Sequence, residues 1–212
     1  MKIFFILRSE FGAAGSAASY MIPMISSRYY DVEIAVLCGK REIDCAVDHD
    51  AGIKLNLINN DNERESLHLL VNAIGIFDPD VIYIFGRSDP LNLIYSLRHI
   101  FVKKFFIYDI RSPLLRQQGN LNIIKEQYSN LEMYIDVLIA SDWSVVYTYF
   151  SPREYNFKTL PIGVDLESVK TKECFSEKLK KFVYIGSLDR KRQLNLLIDG
   201  FLDFAETAND GV

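Results

Sequence analysis

The chain has 212 residues, 49% of them hydrophobic, and a formal net charge of −4, so it can build one sizeable core, or one domain plus part of another. The acidic balance excludes general affinity for nucleic acid, which needs enough Lys and Arg to neutralise phosphates. Three cysteines, Cys38, Cys45 and Cys174, show no paired or metal-like spacing, which excludes a disulfide framework and a cysteine zinc site and suits a reducing, cytoplasmic setting.

The first apolar run, residues 3–7, is too short for the core of a signal peptide and ends at Arg8 and Ser9 without a small-residue cleavage site. It reads as a first strand. Further short apolar runs lie at 32–38, 53–58, 81–85, 105–108 and 145–147, several of them apolar on both faces, as a parallel sheet covered by helices requires. Helix-like segments at 15–28, 62–76, 90–101 and 121–140 separate most of these runs, whereas a polar loop, 39–52, separates the second from the third. In the 62–76 segment Asn62 suits a cap to which Glu65 reaches back, and Leu67, Leu70, Val71 and Ile74 line one face. The alternation predicts an α/β fold with a doubly wound, mainly parallel, Rossmann-like sheet. No run has the length to cross a bilayer, because Arg98, Lys103 and Lys104 interrupt the most apolar neighbourhood, 91–108.

In such a sheet ligands bind at the carboxyl ends of the strands, so the residues just beyond each strand are the candidates. Gly12 and Gly15 come after the first strand, where glycine lets the backbone approach a ligand and the free amides of a helix start attract phosphate or sugar oxygens. A purely structural turn accounts for the same two residues, and the full Gly-x-Gly-x-x-Gly fingerprint is absent. Gly86 and Arg87 come after the fourth strand. Pro90 fits the first turn of the next helix with Ser88 or Asp89 as its cap, and capping accounts for the segment most simply; Arg87 shares the ligand-binding edge with Gly12 and Asp109 and could still point into the cleft. Asp109 and Arg111 come after the 105–108 strand as a charged pair able to orient sugar hydroxyls, or only to pin their loop. Thr148 and Ser151 come after the 145–147 run, where they would touch an acceptor or satisfy a turn. His49, His68 and His99 share no metal spacing, so no metal site is expected. Arg98, His99, Lys103 and Lys104, interleaved with Phe101, Phe105 and Phe106, suit a peripheral contact with anionic lipid, although a strand flanked by solvated lysines explains them more simply.

Residues 160–166 read Leu-Pro-Ile-Gly-Val-Asp-Leu and lead into a polar, lysine-rich stretch, 167–180, with the character of a linker. From Lys181 the chain reads Lys-Phe-Val-Tyr-Ile-Gly-Ser-Leu-Asp-Arg-Lys-Arg-Gln-Leu-Asn-Leu-Leu-Ile-Asp-Gly-Phe, a strand, a basic glycine turn and an amphipathic helix. One strand and one helix cannot make an independent core.

These two segments resemble the middle of a retaining glycosyltransferase of the family 4, GT-B type. In that family a Pro-x-Gly-Val-Asp segment leads into the second domain, whose first strand, turn and helix commonly read Gly-Arg-Leu-x-x-x-Lys-Gly and end in Ala-Phe. Gly186, Leu188 and Phe201 fall on this pattern, with Arg192 at the lysine position and Ser187 in place of the arginine. The resemblance implies a Rossmann-like acceptor-side domain at 1–166, a linker at 167–180, and at 181–212 the first strand and helix of an incomplete donor-side domain.

It further implies an enzyme of polysaccharide biosynthesis that moves a sugar from a nucleotide-sugar donor to a glycan or lipid-linked acceptor, with retention and without a required cofactor or metal. Its place would be the cytoplasm, or the inner face of the membrane as a peripheral protein. Gly12, Gly15, Gly186, Arg190 and Arg192 would face the donor diphosphate, the cations stabilising charge on the departing group. Asp109 and Arg111 would be catalytic, Asp109 standing near a position where many relatives carry a histidine that contacts the transferred sugar. Arg87 and Thr148 would meet the acceptor. Two rival readings are a Rossmann-like nucleotide-binding module, against which the missing glycine fingerprint counts, and a non-catalytic interaction protein that kept the fold.

Overall fold

The structure, a computed structural model, describes residues 1–7, 17–38, 53–59, 61–86, 91–111, 128, 130–149, 157–160, 196, 198–200 and 202. The chain divides into two compact units, Met1–Val164 and Asp165–Val212. In the second, the described residues Leu196, Ile198, Asp199, Gly200 and Leu202 are helical.

The first unit is organised by seven strands: β1 Lys2–Leu7, β2 Asp31–Cys38, β3 Lys54–Asn59, β4 Val81–Phe85, β5 Phe105–Ile110, β6 Val137–Ala140 and β7 Phe157–Thr159. Their order across the sheet is β3-β2-β1-β4-β5-β6-β7, and every neighbouring pair is parallel. This is the doubly wound, Rossmann-like arrangement the alternating pattern predicts. Right-handed crossovers explain it: the chain moves outward from β1 in one direction through β2 and β3, then returns and moves outward in the other, so helices from the two halves cover opposite faces.

Burial on both faces is what makes the strands continuously apolar. Phe4, Phe5, Ile6 and Leu7 are each exposed by 1% or less, and successive side chains point to opposite sides. On one side Phe4, Ile6, Ile84 and Phe106 pack with Leu70 and Ile74 of α2 (Glu63–Phe77), Ile94 and Leu97 of α3 (Leu91–Ile100) and Val145 and Val146 of α4 (Trp143–Tyr149). On the other, Ile3, Phe5, Leu7, Tyr83 and Phe85 pack with Tyr20, Ile22 and Met24 of α1 (Ala17–Ser27). Each fully buried Leu, Ile or Phe stabilises the unit by roughly 1.5–3 kcal/mol relative to leaving it exposed.

Helix α2 starts where the sequence predicts. The Asn62 side chain accepts hydrogen bonds from the backbone N–H groups of Arg64 at 3.2 Å and Glu65 at 3.5 Å, while Leu67, Leu70, Val71 and Ile74 face the core. The helix ends at Asp78 in the left-handed region, φ 51°, whose N–H bonds the Ile74 carbonyl at 2.8 Å.

Three expectations are corrected. Residues 145–147 are not a strand: they lie in α4, because Asp142 caps that helix, accepting from the Ser144 N–H at 2.7 Å and the Val145 N–H at 3.3 Å. The strand is instead β6, at the end of the segment expected to be one helix; there Tyr128, Asn130 and Leu131 are helical, Glu132–Tyr134 form a 3₁₀ turn, and Val137–Ala140 pair with β5. The edge strand β7 corresponds to none of the expected runs.

The cations considered for lipid contact lie at the amino edge of the sheet. Arg98 reaches both Asp136 carboxylate oxygens at 3.1 Å and stacks over Phe106, 5.2 Å from its ring centre. Lys104 is 2.5 Å from Asp78. Both are therefore engaged in holding strand ends together. No helix among the described residues is long and apolar enough to cross a membrane.

Candidate functional site

The reversal of strand order falls between β1 and β4, where connections leave in opposite directions and open a crevice at the carboxyl ends. Leu7 ends β1 and Phe85 ends β4. Gly12, Gly15 and Arg87 follow these ends in the chain and lie outside the described residues. Gly186, Arg190 and Arg192 lie outside them too. A shallow cleft opens nearby between the first turns of α2 and α3, lined by Leu37, Glu63, Ser66, Leu67, Asn92 and Ser96. Its buried hydroxyl, Ser66 Oγ, is already bonded to the carbonyls of Asn59 at 2.6 Å and Asn62 at 2.7 Å.

Next to the crevice, the strand β5 continues past residue 108 to Ile110, so Asp109 is not in a loop after the strand. It sits inside the sheet, opposite Phe85 of β4 and Ile139 of β6, and its side chain has no exposed surface. A carboxylate there must find partners, since burying one without them costs several kcal/mol. It finds two. Tyr83 Oη donates to Asp109 Oδ2 at 2.5 Å, and Arg111 Nη2 donates to the same oxygen at 2.7 Å. Arg111 Nε lies 2.6 Å from Oδ1, an ion-pair contact outside good hydrogen-bond angles.

Arg111 has a third engagement. Its Nη1 donates to the Leu160 carbonyl at 2.6 Å, just beyond β7, and its own carbonyl accepts from Ser141 Oγ at 2.9 Å, just beyond β6. The network therefore joins β4, β5, β6 and the end of β7. Tyr83 is the member sequence reasoning missed. The only signal for it was a hydroxyl in the otherwise apolar run Val-Ile-Tyr-Ile-Phe.

Thr148 does not come after a strand; it lies within α4, and its proposed place at the carboxyl edge is corrected accordingly. Asp142 belongs to the capping of α4, and its carboxyl is held below the usual value of 3.8 chiefly by the Ser144 hydroxyl. Among the described residues no group of His, Cys, Asp and Glu could hold a metal ion.

Gly86 closes β4 with its N–H on the Asp109 carbonyl at 2.7 Å. A Cβ there would stand 2.5 Å from Tyr108 Oη and 2.6 Å from its Cζ, and Tyr108 is fully buried. Gly86→Ala is expected to destabilise the unit by about 1–3 kcal/mol through this overpacking. A shift in the urea midpoint with unchanged slope would measure it; a midpoint equal to the parent's would mean that Tyr108 yields freely.

The titration of Tyr83 gives a pH test. Burial first, and then the Asp109 carboxylate, raise the phenol above its usual value of 10.0, with Arg111 opposing. A group whose folded value is raised contributes stability below its unfolded value, and that contribution is lost as pH rises. Above about pH 10 the unfolded chain releases this proton and the folded one retains it, so stability should fall by up to about 1.4 kcal/mol per pH unit from this group. Tyr83→Phe should be about 1–2 kcal/mol less stable than the parent at pH 8, from the hydrogen bond lost to Asp109, yet decline less steeply between about pH 10 and 12. Parallel declines in chemical melts of the two proteins would show that Tyr83 ionises with the rest.

No family model matches the chain, and no curated protein matches it. Solved structures do, among them two crystal structures of Anabaena Alr3699/HepE. The complex with UDP shares 14% identity and a TM-score of 0.58 over 79% of this chain and 45% of that one. The complex with UDP and glucose shares 14% identity and a TM-score of 0.59 over 82% of this chain and 47% of that one. The chain thus spans less than half the length of these structures. At such identity the likeness establishes the α/β fold.

Proposed function

We propose that the chain is the acceptor-side part of a nucleotide-sugar glycosyltransferase of the GT-B type, with the opening of a donor-side domain after it. The observation that carries this reading is where the chain divides: the first compact unit ends at Val164 and the second begins at Asp165, within the Pro161-Ile162-Gly163-Val164-Asp165 segment that resembles the interdomain passage of that family. The fold likeness to a protein crystallised with UDP and with glucose supports it.

In this reading Gly12, Gly15, Gly186, Arg190 and Arg192 are the residues that bind the donor diphosphate, and Arg87 is one that meets the acceptor. Backbone N–H groups at a glycine turn and a cation over the diphosphate stabilise the charge that builds as the nucleoside diphosphate departs. Asp109 and Arg111 support the site from within the sheet. The acceptor is a glycan or a lipid-linked sugar, the transfer proceeds with retention and needs no metal, and the enzyme works in the cytoplasm or at the inner membrane face. Exposed Ile100, Val102 and Phe105 near Lys103 would supply a membrane-facing edge.

The rival reading, a dinucleotide-binding module, shares this strand order, so the ligand must decide. A panel of nucleotide-sugars incubated with a protein whose second unit is complete should release nucleoside diphosphate from at least one of them. Binding of NADH with no binding of any nucleotide-sugar would replace our assignment with the dehydrogenase-type one.

A further inference from the structure

The Asp109 and Arg111 pair is unlike a substrate-binding pair in one respect: its charges are used up inward. Both Asp109 oxygens face Arg111 or Tyr83, and the guanidinium spends its remaining arm on a backbone carbonyl. That carbonyl belongs to Leu160, whose own N–H bonds the Ala140 carbonyl at 2.9 Å. Leu160 is therefore held on both sides, by β6 through its N–H and by Arg111 through its C=O.

The residues after Leu160 give this hold a consequence. Pro161 comes next, which confines Leu160 to extended backbone and offers no N–H of its own. The second compact unit begins at Asp165.

We propose that Tyr83, Asp109 and Arg111 form an anchor that fixes the point at which the chain leaves the first unit, Arg111 acting as a positioning residue through the Leu160 carbonyl. Tyr83 orients the carboxylate, the carboxylate orients the guanidinium, and the guanidinium holds the exit. A ligand at the carboxyl edge would meet an exit already set rather than one it must order. The anchor stands on the geometry alone; its consequence for sugar transfer rests on the glycosyltransferase reading.

Backbone amide exchange on the 212-residue protein tests the anchor. Arg111→Lys keeps the charge beside Asp109 but lacks the fork that spans the carboxylate and Leu160 together. It should speed exchange of the Leu160 amide about tenfold or more, while the amides of β1 and β4 exchange at the parent rate. Tyr83→Phe should speed the same amide by a smaller factor that still exceeds the acceleration its lower global stability brings to β1 and β4, and it carries the test if Arg111→Lys does not fold. An unchanged Leu160 amide, or acceleration spread equally over the sheet, would overturn the anchor.

Transfer kinetics on a protein with a complete second unit separate positioning from contact. Arg111→Lys should lower kcat by about tenfold or more with an acceptor KM close to the parent's, because a displaced exit misplaces the reacting groups. A raised KM at unchanged kcat would make Arg111 a substrate contact and end the proposal. Titration of the unmodified complete protein with UDP is read separately. Its failure would remove the nucleotide-sugar reading and leave the exchange result standing.

Discussion

Arg111→Met is expected to destabilise the first unit by about 3–5 kcal/mol, because it leaves a carboxylate with no exposed surface facing only the Tyr83 hydroxyl. Burial already holds the Asp109 carboxyl above its usual value of 3.8, against the opposing pull of Arg111 and Tyr83. Without Arg111 that value rises further. A raised carboxyl contributes most stability below its unfolded value and loses it as pH rises, so the deficit of Arg111→Met should be smaller at about pH 4 than at about pH 7. Replacing the whole network by apolar groups, Asp109→Leu with Arg111→Met and Tyr83→Phe, should recover most of the loss, since no charge or hydroxyl is then left buried without a partner. Urea melts of the single and triple variants at two pH values measure this. A single-variant loss below about 1 kcal/mol would mean that water reaches Asp109 and that the pair behaves as a surface ion pair.

Arg192→Ala, in a protein whose second unit is complete, is expected to slow sugar transfer by about 10²-fold or more while changing stability by no more than about 0.5 kcal/mol. On the glycosyltransferase reading the two effects separate because an arginine where the sequence predicts a helix start contributes little to folding, whereas a cation facing a departing diphosphate would act where charge develops in the transition state. The same substitution in the 212-residue chain should alter its melting little. Turnover of Arg192→Ala equal to the parent's would take this residue out of the mechanism and weaken the assignment that its motif supports. A matching fall in thermal stability would instead assign Arg192 to the fold.

How much of this is legible from the chain depends on the range of the interactions involved. Asn62 caps α2 as its sequence position predicts, and the helical spacing of Leu67, Leu70, Val71 and Ile74 sets the buried face, because cap and stripe are both local. The runs at 3–7, 32–38 and 81–85 become strands for the same reason: each is a short apolar segment buried on both sides. Val-Leu-Ile-Ala at 137–140 and Val-Val-Tyr at 145–147 are read the wrong way round from sequence, since periodicity cannot separate a short buried strand from a short buried helix. The deciding contacts are backbone pairing with β5 and the Asp142 cap.

The sequence by itself determined a doubly wound α/β unit and the edge at which such a sheet takes its ligands. Tertiary structure alone decided what Asp109 and Arg111 do. Their partners, Tyr83 and Leu160, lie 26 and 49 residues away along the chain, and only the sheet brings them together. Tyr83 stands on β4 opposite Ile107, one diagonal step from Asp109 on the same face. A carboxylate at a strand end looks solvent-facing in sequence, but here the neighbouring strands and the exit of β7 enclose it, and its charge turns inward to hold the fold.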